Sequence, residues 1–129
     1  MGSTIVFYQQ YAVPYFGILS LAAHLKCHGF QSEVIIDTLE KHPIETIKQL
    51  QPKLIGISVL SPEHQWLIRR CRSVRNVFPN TPIIVGGVHG IFYPEEILRE
   101  TSADLVCHSE GEHVIIDVLN ELENPGISL

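Results

Sequence analysis

The stretch Pro82-Ile83-Ile84-Val85-Gly86-Gly87-Val88-His89-Gly90 decides how the rest of the chain is read. Ile83, Ile84 and Val85 run into two glycines with no polar alternation. A short β-branched run of this kind predicts a strand buried on both faces, at the centre of a parallel sheet. Gly86 and Gly87 then fall at its carboxyl end, where open α/β sheets bind their ligands. Adjacent glycines permit unusual backbone angles and leave room because no side chain protrudes. Something large is expected to lie against this turn.

Outward from that strand, the chain alternates apolar runs with helical periodicity. Thr4 to Tyr8 reads as a first strand and Gln9 to Pro14 as a loop. Tyr15 to His28 is a mostly apolar helix with Gly29 as its left-handed stop. Ser32 to Asp37 is a second strand. Pro43 opens a helix that carries Ile44, Ile47 and Leu50 at helical spacing. Leu54 to Leu60 is the third and most apolar strand, and Gly56 in its interior predicts a close neighbour. Ser61-Pro62-Glu63 reads as a helix start, with Ser61 as N-cap, and that helix runs to about Val77. Beyond the opening stretch, Pro94 begins another helix and Asp104 to Cys107 is a short fifth strand. Ser109 and Glu112 fit a capping box ahead of a last helix striped with Val114, Ile115, Val118, Leu119 and Leu122. Five strands alternating with five helices predict a Rossmann-like, flavodoxin-like three-layer sandwich. Its five-stranded parallel sheet has the expected order 2-1-3-4-5, with a switch point between strands 1 and 3.

The 129 residues fit a single domain spanning 1–129, with residues 124–129 as the start of a linker to an absent domain. A formal charge of −5 argues against a nucleic-acid surface, which shows as a basic stripe. Arg69, Arg70, Arg72 and Arg75 read as the solvated face of one helix. Cys27, Cys71 and Cys107 are widely spaced and form no zinc or iron–sulfur signature, so no metal ligand is assigned. Reduced thiols in a cytoplasmic protein are expected. Met1-Gly2-Ser3 leads directly into a strand rather than a signal peptide, and no apolar run is long enough to cross a bilayer.

Three loops meet at the carboxyl edge of the expected sheet: Gln9–Gly17, Ser58–Pro62 and Gly86–Gly90. Their residues resemble the cobalamin (B12)-binding domain family, which carries S-x-L after strand 3 and G-G after strand 4. Here Ser58-Val59-Leu60 and Gly86-Gly87 stand with 25 residues between them. The family's D-x-H-x-x-G element supplies a histidine to cobalt. Its template falls on Ala12 to Gly17, where the glycine is kept but Ala12 replaces the aspartate and Pro14 the histidine. Proline has no imidazole, so no histidine ligand is available at that position.

That departure resembles the N-terminal domain of cobalamin-dependent radical SAM enzymes. Those domains show a proline-x-x-glycine before helix 1, matched by Pro14-Tyr15-Phe16-Gly17. Pro52-Lys53-Leu54-Ile55-Gly56-Ile57-Ser58, Gly86-Gly87-Val88-His89 and Ser109-Glu110-Gly111-Glu112 match their further motifs, with Ser109 replacing the usual glycine. The resemblance covers essentially the whole chain. It implies cofactor-binding roles for Pro14, Tyr15, Gly17, Gly56, Ser58, Val59, Leu60, Gly86, Gly87, His89, Glu110 and Gly111, and no catalytic residue. It also implies base-off cobalamin, with S-adenosylmethionine and a [4Fe-4S] cluster only in an absent radical SAM domain, in cis or in trans. The chain alone would then bind and not catalyse.

Each residue also has a plainer reading. Ser58 ends a strand by bonding local backbone, or meets the nucleotide tail of the cofactor. Gly56, Gly86 and Gly87 serve turn geometry, or open a slot for that tail; on the second reading Gly87→Leu abolishes retention and leaves the fold intact. His89 reads first as a solvated loop histidine or one supporting the contact surface from behind, and second as a contact to corrin or cobalt. Glu110 and Glu112 read as dipole partners of a helix N-terminus rather than a catalytic pair. Tyr11, Tyr15 and Phe16 wall the site or join the core, and His64 and Trp66 lie near the rim as contacts or as surface. Two other functions are weighed: a degenerate, non-catalytic interaction module, and a flavodoxin or phosphoacceptor receiver. A receiver needs acids where Gln9, Gln10 and Ser58 stand, and Gln10 to Pro14 is no phosphate loop.

Overall fold

A computed structural model describes residues 5–13, 18–107 and 112–123 of the chain. Strands β1 (Ile5–Gln9), β2 (Ser32–Ile36), β3 (Leu54–Ser58), β4 (Ile83–Gly86) and β5 (Leu105–Val106) form one sheet. All neighbours are parallel, and the order is β2-β1-β3-β4-β5, as the sequence predicts. Helices α1 (Ile18–Cys27), α2 (Pro43–Leu50), α3 (His64–Val77), α4 (Val88–Phe92), α5 (Pro94–Glu100) and α6 (Glu112–Glu123) connect and cover it.

Two apolar cores result, one on each face. Strand residues alternate sides, so Ile5 and Phe7 of β1, Leu54 of β3 and Ile84 of β4 share one face. They pack with Ile18 and Leu25 of α1 and Ile115, Ile116 and Leu119 of α6. Val6, Tyr8, Ile55, Ile57, Ile83 and Val85 point the other way, against Ile47 of α2, Trp66, Leu67, Cys71 and Val74 of α3, and Ile97 of α5. Ile83, Ile84 and Val85 are buried on both faces, which is why their run shows no alternation.

Helix α1 ends where expected. Gly29 takes φ +83°, its N–H donates to Lys26 O at 3.1 Å, and Phe30 N–H donates to Leu25 O at 2.9 Å. This paired bonding is a Schellman stop, and Phe30 and Leu25 join the same core beside it.

The start of α3 differs from the expectation. Ser61–Glu63 forms a 3-10 turn and the α-helix proper begins at His64. Leu60, not Ser61, holds the capping position, and the Glu63 carboxylate accepts the Leu60 N–H at 2.7 Å. Ser61 is left to turn its hydroxyl elsewhere. A sixth helix, α4, occupies what reads in sequence as the Gly86–Gly90 loop. It follows Gly87 directly, and Pro94 separates it from α5 by holding Tyr93 out of helical geometry.

Two of the α3 arginines, both part-exposed, also hold partners within the fold. Arg70 donates to Asp37 Oδ2 at 3.2 Å. Arg75 donates to the carbonyls of Phe78, Thr81 and Ser102 and to the Asp104 carboxylate, tying the end of α3 to the entries of β4 and β5. Arg75→Met keeps the stem and strands those acceptors. It is expected to lower stability by about 2 kcal/mol, seen as a lower urea midpoint at unchanged slope.

Candidate functional site

The carboxyl edge of the sheet is built by the ends of β1, β3 and β4. By alternation, Gln9, Ser58 and Gly86 face the α1/α6 side there, and Ser58 pairs with Gly86 in register. Below Ser58, the place of a Gly56 side chain is filled by Phe7, whose ring carbons lie 3.1 and 3.3 Å from where a Cβ would stand. That is the close neighbour the strand glycine predicts, so Gly56 itself opens no slot. Gly86 differs: a Cβ there would meet nothing nearer than Cys107 Cβ at 3.9 Å. Among the described residues the Ser58 hydroxyl has no hydrogen-bond partner. A bare strand end thus lies beside a free donor and acceptor.

Gly87 is not open. It takes φ +91° and ψ −176°, and an added Cβ would stand 2.7 Å from Val59 O and 3.0 Å from both Val59 N and Ser58 Oγ. The room made by its missing side chain is taken by the chain's own backbone, not left for a ligand. Val59 N–H donates to Gly86 O at 3.1 Å, and His89 N–H donates to Val59 O at 3.2 Å. These bonds seat α4 on the end of β3.

Around this edge lies an apolar rim of Tyr11, Val13, Leu60, Val88, Ile91 and Phe92, all exposed. The three residues of S-x-L divide their directions. Ser58 faces the α1/α6 layer, Val59 belongs to the opposite core, and Leu60 is on the rim. Gln9, read from sequence as a loop residue, is buried at the end of β1. Its Nε2 donates to Tyr11 O at 2.7 Å and Val13 O at 3.0 Å, which fixes the rim after β1.

His89 is not a solvated loop histidine. It sits on α4, 4% exposed. Its Nε2 lies 2.7 Å from His64 Nδ1, and its Nδ1 lies 3.2 Å from Ser61 Oγ. His64 Nε2 in turn meets Glu100 Oε1 at 3.4 Å. Burial, followed by the neighbouring His64, holds the His89 imidazole below its ordinary value, with Glu96 opposing.

A second network lies across the α3 side. The Tyr8 hydroxyl donates to Asp37 Oδ1, and Trp66 Nε1 donates to Asp37 Oδ2 at 3.0 Å beside Arg70. Trp66 is therefore core, neither rim contact nor surface. Burial and then Asp37 push the Tyr8 phenol far above its usual range, against Arg70, so it stays protonated. Burial also raises the Cys71 and Cys107 thiols. Among the described residues no group of three or more His, Cys, Asp or Glu side chains is placed to hold a metal ion. Pro14, Tyr15, Phe16, Gly17, Ser109, Glu110 and Gly111 lie outside the described residues.

Fold and edge together define an open α/β ligand-binding domain. Residues 2–119 match the B12 binding domain family, and the chain belongs to it. It is 26% identical over 109 residues to an anaerobic magnesium-protoporphyrin IX monomethyl ester cyclase of Rubrivivax gelatinosus, and 24% identical over 109 residues to one of Cereibacter sphaeroides. These matches cover 80% of this chain but only 20% and 18% of those relatives, so it spans about a fifth of their length. Among solved structures it is similar to the cobalamin-dependent S-adenosylmethionine radical enzyme OxsB with aqua-cobalamin bound. That match has a TM-score of 0.72 and 26% identity, covering 95% of this chain and 19% of that one. A cobalamin-binding protein from Desulfitobacterium hafniense shares the fold at a TM-score of 0.69 and 18% identity, over 88% of this chain and 56% of the other. No helix among the described residues is long and apolar enough to cross a membrane.

Proposed function

We propose that this chain holds cobalamin at the carboxyl edge of its sheet, base-off and with no protein histidine on cobalt. It would serve there as the cofactor-binding module of a radical SAM enzyme of methyl transfer, cyclisation or rearrangement. S-adenosylmethionine and the [4Fe-4S] cluster belong, on this reading, to a radical SAM domain in cis or in trans. When bound, cobalamin supplies a cobalt centre for group transfer or radical chemistry, while the protein supplies orientation and burial.

The observation that carries the reading is the Ser58–Gly86 pair. A hydroxyl free among the described residues and a bare strand end lie side by side on the α1/α6 face, where the nucleotide tail would enter. Ser58 would hold the tail's base by a hydrogen bond, and the apolar rim of Tyr11, Leu60 and Val88 would meet the corrin. The resemblance to cobalamin-binding domains also gives cofactor-binding roles to Pro14, Tyr15, Gly17, Glu110 and Gly111. His89 supports the no-ligand reading, because both its ring nitrogens already have partners within the fold.

The test is to mix the chain with hydroxocobalamin, desalt it, and record the visible spectrum and then the electron paramagnetic resonance of the reduced Co(II) form. A retained corrin spectrum with unsplit cobalt lines is expected. No retained corrin would leave a non-catalytic interaction module. Lines split into triplets by a coordinated nitrogen, from the cofactor's own base or from an imidazole, would overturn the base-off, no-histidine reading.

A further inference from the structure

Cofactor binding does not by itself account for Ser61, His89, His64 and Glu100. They form one chain of polar contacts, 3.2, 2.7 and 3.4 Å in that order. Its proton arrangement follows from the far end. An ionised Glu100 only accepts, so His64 Nε2 carries a hydrogen, and neutral His64 then has Nδ1 as acceptor. His89 must therefore carry its hydrogen on Nε2, which leaves Nδ1 to accept from the Ser61 hydroxyl. Each atom of the neutral chain has one role.

The same chain spans four segments: the 3-10 turn after β3 through Ser61, α3 through His64, α4 through His89, and α5 through Glu100. Two of these continue directly from the site, the turn from Ser58–Leu60 and α4 from Gly86–Gly87. The His89 amide adds its bond to Val59 O. The side-chain chain thus adds to the backbone bonds that join the segments after β3 and β4.

We propose that Ser61–His89–His64–Glu100 is a proton-controlled latch on the cofactor site, closed with no proton or one added to the imidazole pair and open with two. This rests on the cobalamin reading only in taking the segments after β3 and β4 as its cradle. One added proton is compatible with closure. His64 becomes the cation, its Nδ1–H donates to His89 Nε2, and the His89 hydrogen moves to Nδ1 and donates to Ser61 Oγ. A second proton puts N–H on both sides of a 2.7 Å contact and places two cations with ring centroids 4.8 Å apart. The contact then repels and must part.

The surrounding groups tune the second step without removing it. Glu96 on α5 favours charge on His89, Glu100 meets His64 at 3.4 Å, and Arg99 pairs with Glu100 at 3.6 Å. The Tyr93 ring flanks His89 at 5.2 Å, and the Glu63 carboxylate is bonded to Leu60 N–H. Because His89 binds its proton less readily in the folded chain than unfolded, its contribution to stability is full above about pH 6.5. That contribution is lost as the pH falls from there toward its lower folded value.

Two measurements test the latch. In the first, histidine ring and backbone amide resonances of the cofactor-free chain are followed from about pH 7 to about pH 4.5. His64 and His89 should titrate as a coupled pair in two steps, with the amides of Val59, Leu60 and α4 moving at the lower step. Two independent single-step curves, or α4 amides that stay still, overturn the proposal. His64→Gln keeps a hydrogen-bonding side chain without a second charge, so the lower step should vanish and the His89 midpoint should rise. In the second measurement, wild-type affinity for hydroxocobalamin should fall about tenfold or more across the lower step, while His64→Gln stays flat there. Wild-type affinity unchanged through that step overturns the latch and leaves the cofactor reading intact. No cobalamin binding at any pH, with the coupled titration and α4 shifts present, overturns the cofactor reading and supports the latch as a control on the loops.

Discussion

Gly87→Ala is expected to cost the cofactor-free chain about 3 kcal/mol, a large share of a single domain's stability. Two effects add. The backbone at φ +91° and ψ −176° lies in a region open essentially to glycine, and a side chain there costs about 1–3 kcal/mol. The new Cβ would also stand 2.7 Å from Val59 O, a backbone atom fixed by its bond from His89 N–H. Relief requires α4 to lift from the end of β3, which breaks that bond and strains the one from Val59 N–H to Gly86 O. Leucine should be worse than alanine, so Gly87→Leu is no clean probe of ligand space. Urea unfolding of the two variants measures the effect. A loss below about 1 kcal/mol for Gly87→Ala would mean that the close approach relaxes freely.

How much of this was legible in sequence depends on how local the cause is. The apolar run Ile83–Val85 announces a central parallel strand because burial on both faces removes alternation. Gly29 announces a helix stop because its neighbours alone complete the bonding. The strand order follows from the alternation of strands and helices and from the handedness of their crossovers. Gly87 shows the limit. A glycine in sequence says that a side chain is unwelcome, but not whether a ligand or the chain's own backbone takes the room. Gly56 is the same, since the Phe7 ring that covers it comes from the neighbouring strand. Helix α4 was missed because five residues are too few for a periodic pattern, and a Gly-Gly start reads as a loop.

The polar networks were harder still. Tyr8, Asp37 and Trp66 meet across 29 positions at each step, and His64 meets His89 across 25. No local pattern marks such partners. Asp37 reads as the end of a strand and His89 as a loop residue until the sheet brings α3, α4 and α5 to one side. Arg70 and Arg75 read as solvent-facing for the same reason, because their acceptors lie on later and earlier segments of the sheet edge.

Gly86→Leu should separate binding from folding, with cobalamin retention reduced about a hundredfold or more and unfolding shifted by less than about 1 kcal/mol. The position accepts a side chain. Its backbone is outside the left-handed region, and a Cβ there would meet only Cys107 Cβ, at ordinary contact distance. The added isobutyl group would project on the α1/α6 side beside Ser58, into the space assigned to the nucleotide tail. Exclusion of this kind is steric, because the added group fills the space beside Ser58. Ser58→Ala provides the scale, since losing one neutral hydrogen bond should weaken retention by only about tenfold. Equilibrium dialysis with hydroxocobalamin, beside urea unfolding of the cofactor-free variants, measures both quantities. Wild-type retention by Gly86→Leu would mean that cobalamin, if held, enters the edge elsewhere. A large loss of stability would mean instead that the strand end is packed more tightly than 3.9 Å allows.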